Sequence, residues 1–324
     1  MDIYVKKAII HQFSPDDTDL YLADKFLNIT PKIEEYLRKK IERVYSDEAR
    51  TGIFEEDNPF LEMISDDLLE TSVAVANRWK EEFVVSENQK TKDLVFIQFS
   101  KEGVDHFAFL RIALRETLTH LGGEVDNPIK LTQNNLPGFG TGADEALVIN
   151  LQSRKYHLIE KRIKYNGTFL NYFSENLLQA QPKISPKKSI KALEKTAQKI
   201  AESFNTDDFQ FQSKVKSAIF NHIEEENKLS PEKLADDLFN DNLTARLSFI
   251  DQVKEAVPEP VTFEEIDASR QLKKFENQKL SLSNGIELIV PNNVYEDAES
   301  VEFILNENGT YSILIKNIED IQSK

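Results

Sequence analysis

The chain has 324 residues, 40% hydrophobic and 30% charged, with 56 acidic against 40 basic residues and a net charge of −16. This length has two domains as its prior. The absence of cysteine excludes thiol catalysis, disulfides and cysteine-bound zinc, and the acidity excludes a body that attracts nucleic acid or anionic membrane over its whole surface.

Ile3–Phe13 reads as a strand. The start MDIYVKKAII lacks the long apolar region and small-residue cleavage site of a signal peptide. Pro31–Tyr45 reads as a helix, because Ile33, Leu37, Ile41 and Val44 recur every three or four residues and Thr30-Pro31 supplies a cap followed by a first-turn proline. A further helix is expected from Pro59 to about Lys80. The apolar runs Asp93–Phe99 and His106–Leu114 flank Lys-Glu-Gly-Val and predict an antiparallel hairpin. Glu145–Leu151 and Tyr156–Lys164 predict a second pair, followed by a helix over Asn166–Gln179. Strands that arrive as hairpins point to a largely antiparallel sheet.

Around QPKISPKK the composition turns polar and proline-bearing, which places a domain boundary between residues 181 and 182. Helices follow over 186–204, 207–226, 231–240 and 245–256. Ser185-Pro186 and Ser230-Pro231 each read as a cap with first-turn proline, and Thr262 with Glu265 reads as a capping box opening a helix to Lys274. Asn284-Gly285 and Asn308-Gly309, each between apolar runs, predict two hairpins. The expected class is α+β. Residues 1–181 form a mixed domain with a largely antiparallel sheet, and residues 182–324 form a helical segment followed by a small antiparallel β meander. No apolar run approaches the roughly 20 residues that would span a bilayer.

LPGFGTGADEALVINL holds Gly138, Gly140 and Gly142. A phosphate loop needs a strand before its glycines and a helix after them. Here the strand-like Ala146–Ile149 comes after, and no Gly-Lys-Ser/Thr is present, so the stretch reads as a loop feeding a strand. Together with Gly122 and Gly123 it suggests a mobile surface excursion. His11, His106, His120, His157 and His222 form no His-x-x-x-His or His-x-His pair, and no Gly-x-Ser-x-Gly elbow occurs. Asp66-Asp67, Asp207-Asp208 and Asp236-Asp237 fit helix starts and polar faces better than metal sites. No catalytic residue, metal ligand or cofactor is assigned.

Two basic clusters break the acidic background. Arg154, Lys155, Lys161, Arg162 and Lys164 lie in RKYHLIEKRIK. In the 186–204 helix, steps of about 100° per residue bring Lys187, Lys188, Lys191, Lys195 and Lys199 onto one face, opposite Ile190, Leu193, Ala197, Ile200 and Phe204. That face is either the solvated side of an amphipathic helix or a rail for nucleic-acid phosphates, which would grip a backbone without reading bases.

Several segments resemble the bacterial 37-kDa nucleoid-associated protein (NdpA) family: Ile9-Ile10-His11-Gln12; Arg43-Val44-Tyr45-Ser46 with Gly52 and Phe54; Ala146–Leu151; Phe169–Phe173; and Arg270-Gln271-Leu272-Lys273-Lys274-Phe275. Their order and spacing cover nearly the whole chain. The resemblance implies a cytoplasmic, non-enzymatic protein of the nucleoid. It supplies no DNA-contacting motif, so the basic positions above rest on charge alone. Two partners follow: DNA bound weakly and without sequence preference, or a DNA-associated protein to which this chain is an adaptor. No membrane partner is expected, and a homo-oligomer is compatible with either.

Overall fold

The computed structural model describes residues 2–14, 19–83, 92–120, 129–165, 167–205, 209–263 and 265–322. It divides into two compact units, Met1–Ser185 and Pro186–Lys324.

The first unit is built on β1 (Ile3–Ser14), β2 (Asp19–Tyr21), β3 (Arg50–Ile53), β4 (Lys92–Lys101), β5 (Val104–Ala113), β6 (Arg115–His120), β7 (Ile129–Asn135), β8 (Glu145–Asn150) and β9 (Lys155–Ile159), with α1 (Pro31–Glu42), α2 (Pro59–Glu62) and α3 (Leu68–Phe83). Seven of these strands form one antiparallel sheet in the order β2-β1-β4-β5-β8-β9-β3. Helices cover both of its faces, so the central strands are apolar in near-continuous runs instead of alternating. One face packs Val95, Ile97, Ala108 and Leu110 against Leu37 and Ile41 of α1. The other packs Phe96, Phe107, Phe109 and Leu147 against Val75, Trp79 and Phe83 of α3. The β4–β5 turn has two residues with positive φ, Glu102 at 53° and Gly103 at 84°, which matches the right-handed twist of the strands it joins.

Gly52 faces Tyr156 across the β3–β9 ladder, and the Tyr156 ring occupies the space a Cβ on Gly52 would need. That ring is buried against Phe54, with centroids 4.4 Å apart, and has no room to retreat. Replacing Gly52 with Ala is therefore expected to cost about 1–3 kcal/mol, read as a lower urea midpoint with an unchanged slope.

Four expectations for this unit change. The helix from Pro59 breaks, because Asp67 accepts from Leu69 N at 2.8 Å and opens α3 as a separate helix. The strand expected over Tyr156–Lys164 stops at Ile159. The next residue, Glu160, turns to accept from Ser174 and Arg50, and a short strand β10 (Ile163–Tyr165) follows. The helix expected over Asn166–Gln179 gives way to β11 (Thr168–Leu170), which pairs with β10, and then to one π-helical turn over Phe173–Leu177; Asn166 itself lies outside the described residues. Gly167, at φ 79°, makes that hairpin turn. The stretch between β5 and β8 contains the hairpin β6–β7, while Gly122 and Gly123 lie outside the described residues.

The second unit packs α4 (Pro186–Ser203), α5 (Phe209–Glu226), α6 (Pro231–Leu238), α7 (Leu243–Lys254) and α8 (Ser269–Phe275) around Leu193, Ile219, Leu234, Phe249 and Phe275. Asp207 and Asp208 lie outside the described residues. The expected capping box does not form. Thr262 belongs to β13 (Val261–Thr262), paired with β12 (Lys228–Leu229), and the helix starts only at Ser269. Two hairpins follow, β14 (Asn277–Ser281) with β15 (Glu287–Pro291) and β16 (Val301–Leu305) with β17 (Tyr311–Ile315), joined by the short helix α9 (Asn292–Tyr295). Gly285 and Gly309, at φ 86° and 79°, sit in their turns.

Candidate nucleic-acid interface

Helix α4 presents the lysines as its periodicity requires. Ile190, Leu193, Ala197 and Ile200 are buried, and Lys187, Lys188, Lys191, Lys195 and Lys199 are all exposed. Phe204 is half-buried against the same core. At 1.5 Å per residue the row from Lys187 to Lys199 is about 18 Å long, roughly five base-pair steps of duplex. The two acids of this helix lie on or beside the same face: Glu194 pairs with Lys274 at 3.1 Å, and Glu202, within a turn of Lys199, accepts from Gln198. The Lys188, Lys191, Lys195 and Lys199 ammonium groups form no ion pair among the described residues.

The second cluster is not one patch. Arg154 and Lys155 stand at the start of β9, and the Arg154 guanidinium is 3.8 Å from Glu56. Lys161, Arg162 and Lys164 lie beyond the other end of β9, a strand of five residues and so about 13 Å or more away. All three are exposed, and Lys161 is held by Asp144 at 2.7 Å. The Asp144 carboxyl is kept below its usual range: burial opposes this, but hydrogen bonds from Lys161 and the Ala113 amide prevail. These five residues are therefore split between two ends of a sheet, and two of them are engaged with carboxylates.

The glycine stretch has the wrong polarity for a phosphate. Lys40, fully buried, sends its ammonium to the carbonyls of Pro137, Gly138 and Thr141 at 3.3, 2.9 and 2.5 Å. The Tyr36 hydroxyl donates to Pro137 O at 3.0 Å, and the Phe139 ring packs edge-on against Tyr36. A phosphate cradle converges amide N–H groups, whereas this loop converges carbonyl oxygens on a cation. The loop is thus anchored to α1 rather than a free excursion. Burial, with Arg43 and Arg115 nearby, lowers the Lys40 pKa to about 8. Arg43 and Arg115, both exposed, add positive charge beside this loop that the sequence reading passed over. The alternating β-branched Thr117 and Thr119 are the available sign that Arg115 starts a strand.

His11 and Ser72 meet at 3.0 Å between β1 and α3. The Ala23 amide donates to His11 Nδ1 at 3.0 Å, so the neutral ring carries its proton on Nε2 and donates it to Ser72 Oγ. Ser72 in turn donates to Leu69 O at 2.8 Å. This direction is the reverse of nucleophile activation, in which the imidazole must accept the serine proton. Burial lowers the His11 pKa from 6.5 to about 4. A folded pKa below the unfolded one means that stability is full above pH 6.5 and is lost as pH falls toward 4, by about 3 kcal/mol from this residue. Trp79, the only tryptophan, lies in the core beneath the same sheet face. Urea midpoints followed by its fluorescence are expected to drop between pH 6.5 and 4, and a His11→Gln variant is expected to flatten that drop.

Among the described residues no group of three His, Asp or Glu side chains could hold a metal ion, and no helix is long and apolar enough to cross a membrane. Over residues 9–321 the chain matches the family model described as nucleoid-associated protein YejK. No curated protein matches it significantly.

Proposed function

The chain belongs to the family of nucleoid-associated protein YejK, and from that premise we propose that it acts in the cytoplasm, at the bacterial nucleoid, as a non-enzymatic protein that grips DNA phosphates through α4. The observation that supports this reading is the row of five exposed lysines opposite a buried apolar stripe, on a chain that is otherwise strongly acidic. Lysines on a rigid helix neutralise phosphates and release counterions, which gives affinity without sequence preference. Lys161, Arg162 and Lys164 form a weaker, separate contact set, as do Arg154 and Lys155. The overall charge opposes tight binding, and each lysine–phosphate contact adds to the fall of affinity with salt.

A second reading is an adaptor that reaches the nucleoid through a DNA-binding protein. The hairpin β6–β7 favours it: Leu118, Ile129 and Leu131 share one exposed face there. A fluorescence-anisotropy titration against duplex, single-stranded and RNA oligomers at several salt concentrations separates the two. Saturable, sequence-independent and salt-sensitive binding supports direct contact. Absence of binding even at low salt makes the adaptor the correct reading. Magnesium added to the same samples tests the non-enzymatic assignment, which oligomer cleavage would overturn.

A further inference from the structure

The two hairpins of the second unit stand over a cleft of about 880 Å³. Ile286 and Leu288 line it from one hairpin, Phe303, Tyr311 and Ile313 from the other, and Phe209 of α5 from below. Phe209 meets Phe303 and Tyr311 edge-on, at 5.2 and 5.3 Å between centroids, so the second hairpin is fixed in place by aromatic contacts. On a chain with 56 acidic residues, the charged groups lining this cleft are two lysines, Lys216 and Lys279, and no acid among the described residues.

The chain carries a segment with the complementary chemistry. After β17, the Lys316 amide donates to Ser300 O and the Asn317 side chain donates to Glu299 O, while Asn317 turns the backbone at φ 54°. Ile318-Glu319-Asp320-Ile321 then runs in no regular structure, with Ile318 52% and Ile321 82% exposed. Two acids lie between two isoleucines that the fold leaves in water. Exposed isoleucines beside a cleft lined by both apolar and polar side chains mark an interaction surface.

We propose that this cleft receives residues 317–322 of a second copy of the chain. Ile318 and Ile321 enter between the hairpins, and Glu319 and Asp320 meet Lys216 and Lys279. Every copy owns both the cleft and the segment, so two such exchanges related by a two-fold axis close as a dimer. The apolar contact supplies most of the affinity, and the rim charges set which segment fits. The inference does not depend on the DNA reading.

The test is the oligomeric state of the full chain, by sedimentation and light scattering across the micromolar range. The wild type is expected to dimerise. Ile318→Asp with Ile321→Asp, at positions too exposed to disturb folding, is expected to raise the dimer dissociation constant by at least about tenfold. Ile286→Asp, on the cleft side and 50% exposed, is expected to do the same. Mixing the segment variant with the cleft variant leaves one intact pairing per heterodimer and is expected to restore part of the association. A wild type that stays monomeric, including one whose own segment fills its cleft, overturns the proposal. So does a dimer that both variants leave intact.

Discussion

Changing Lys187, Lys191, Lys195 and Lys199 together to Glu is expected to abolish DNA binding at moderate salt while leaving the fold in place. All four side chains are exposed, and the stripe of Ile190, Leu193, Ala197 and Ile200 beneath them is untouched. Lys and Glu have similar helix propensities, so the change in stability stays near 1 kcal/mol. If each lysine neutralises one phosphate, the slope of log affinity against log salt flattens by about 3 to 4, and affinity falls by orders of magnitude at low salt. The loss is the same for every duplex sequence, because backbone contacts carry no base information. The split second cluster supplies the internal control. Lys161→Glu with Arg162→Glu flattens the slope by no more than about 2. A folded quadruple variant that binds as the wild type does would reduce the rail to a solvated helix face.

The lysine face of α4 is legible in the sequence because everything that makes it is local. The helical period sorts the lysines from the apolar stripe, and Ser185-Pro186 marks the start. The same holds for α1 and α6, where Thr30 and Ser230 cap amides three residues on, and for the hairpins that turn at Gly103, Gly285 and Gly309. What the sequence concealed depends on distant partners. The 154–164 cluster reads as one patch until Glu160 leaves the strand to meet Arg50, more than a hundred residues earlier, and Ser174. Thr262 and Glu265 have the residue types of a capping box, but pairing of Thr262 with Lys228 claims that backbone for a ladder. β2 and β3, of three and four residues, are too short to show a period at all. The glycine stretch reads as the loop before a strand that it is, yet its anchor, Lys40, lies about a hundred residues upstream and reads locally as one more basic residue of α1.

The largest expected effect on stability lies at a polar group placed inside the sheet core. Arg111 of β5 donates to Glu145 of β8 at 2.5 Å, and both side chains are buried. Tyr172 donates to the same carboxylate oxygen and accepts from the Trp79 indole N–H at 3.0 Å. Burial first, and the Glu145 carboxylate second, hold the Tyr172 hydroxyl far above its usual pKa, so it remains a donor across the whole working pH range. The other carboxylate oxygen, Oε1, has no partner among the described residues, so the group is already short of one hydrogen bond. Arg111→Met would leave the Glu145 charge buried with only a tyrosine to face it, and a loss of about 3–5 kcal/mol is expected. Glu145→Leu alone strands the guanidinium and is expected to cost a similar amount. The double variant removes both charges and both desolvation costs. It is expected to be more stable than either single variant, with a coupling of about 2–3 kcal/mol. Urea unfolding followed by Trp79 fluorescence measures all four proteins from inside the network. If the two single losses simply added in the double variant, the pair would not be acting as a unit, and the residual cost would belong to Tyr172 and Trp79 instead.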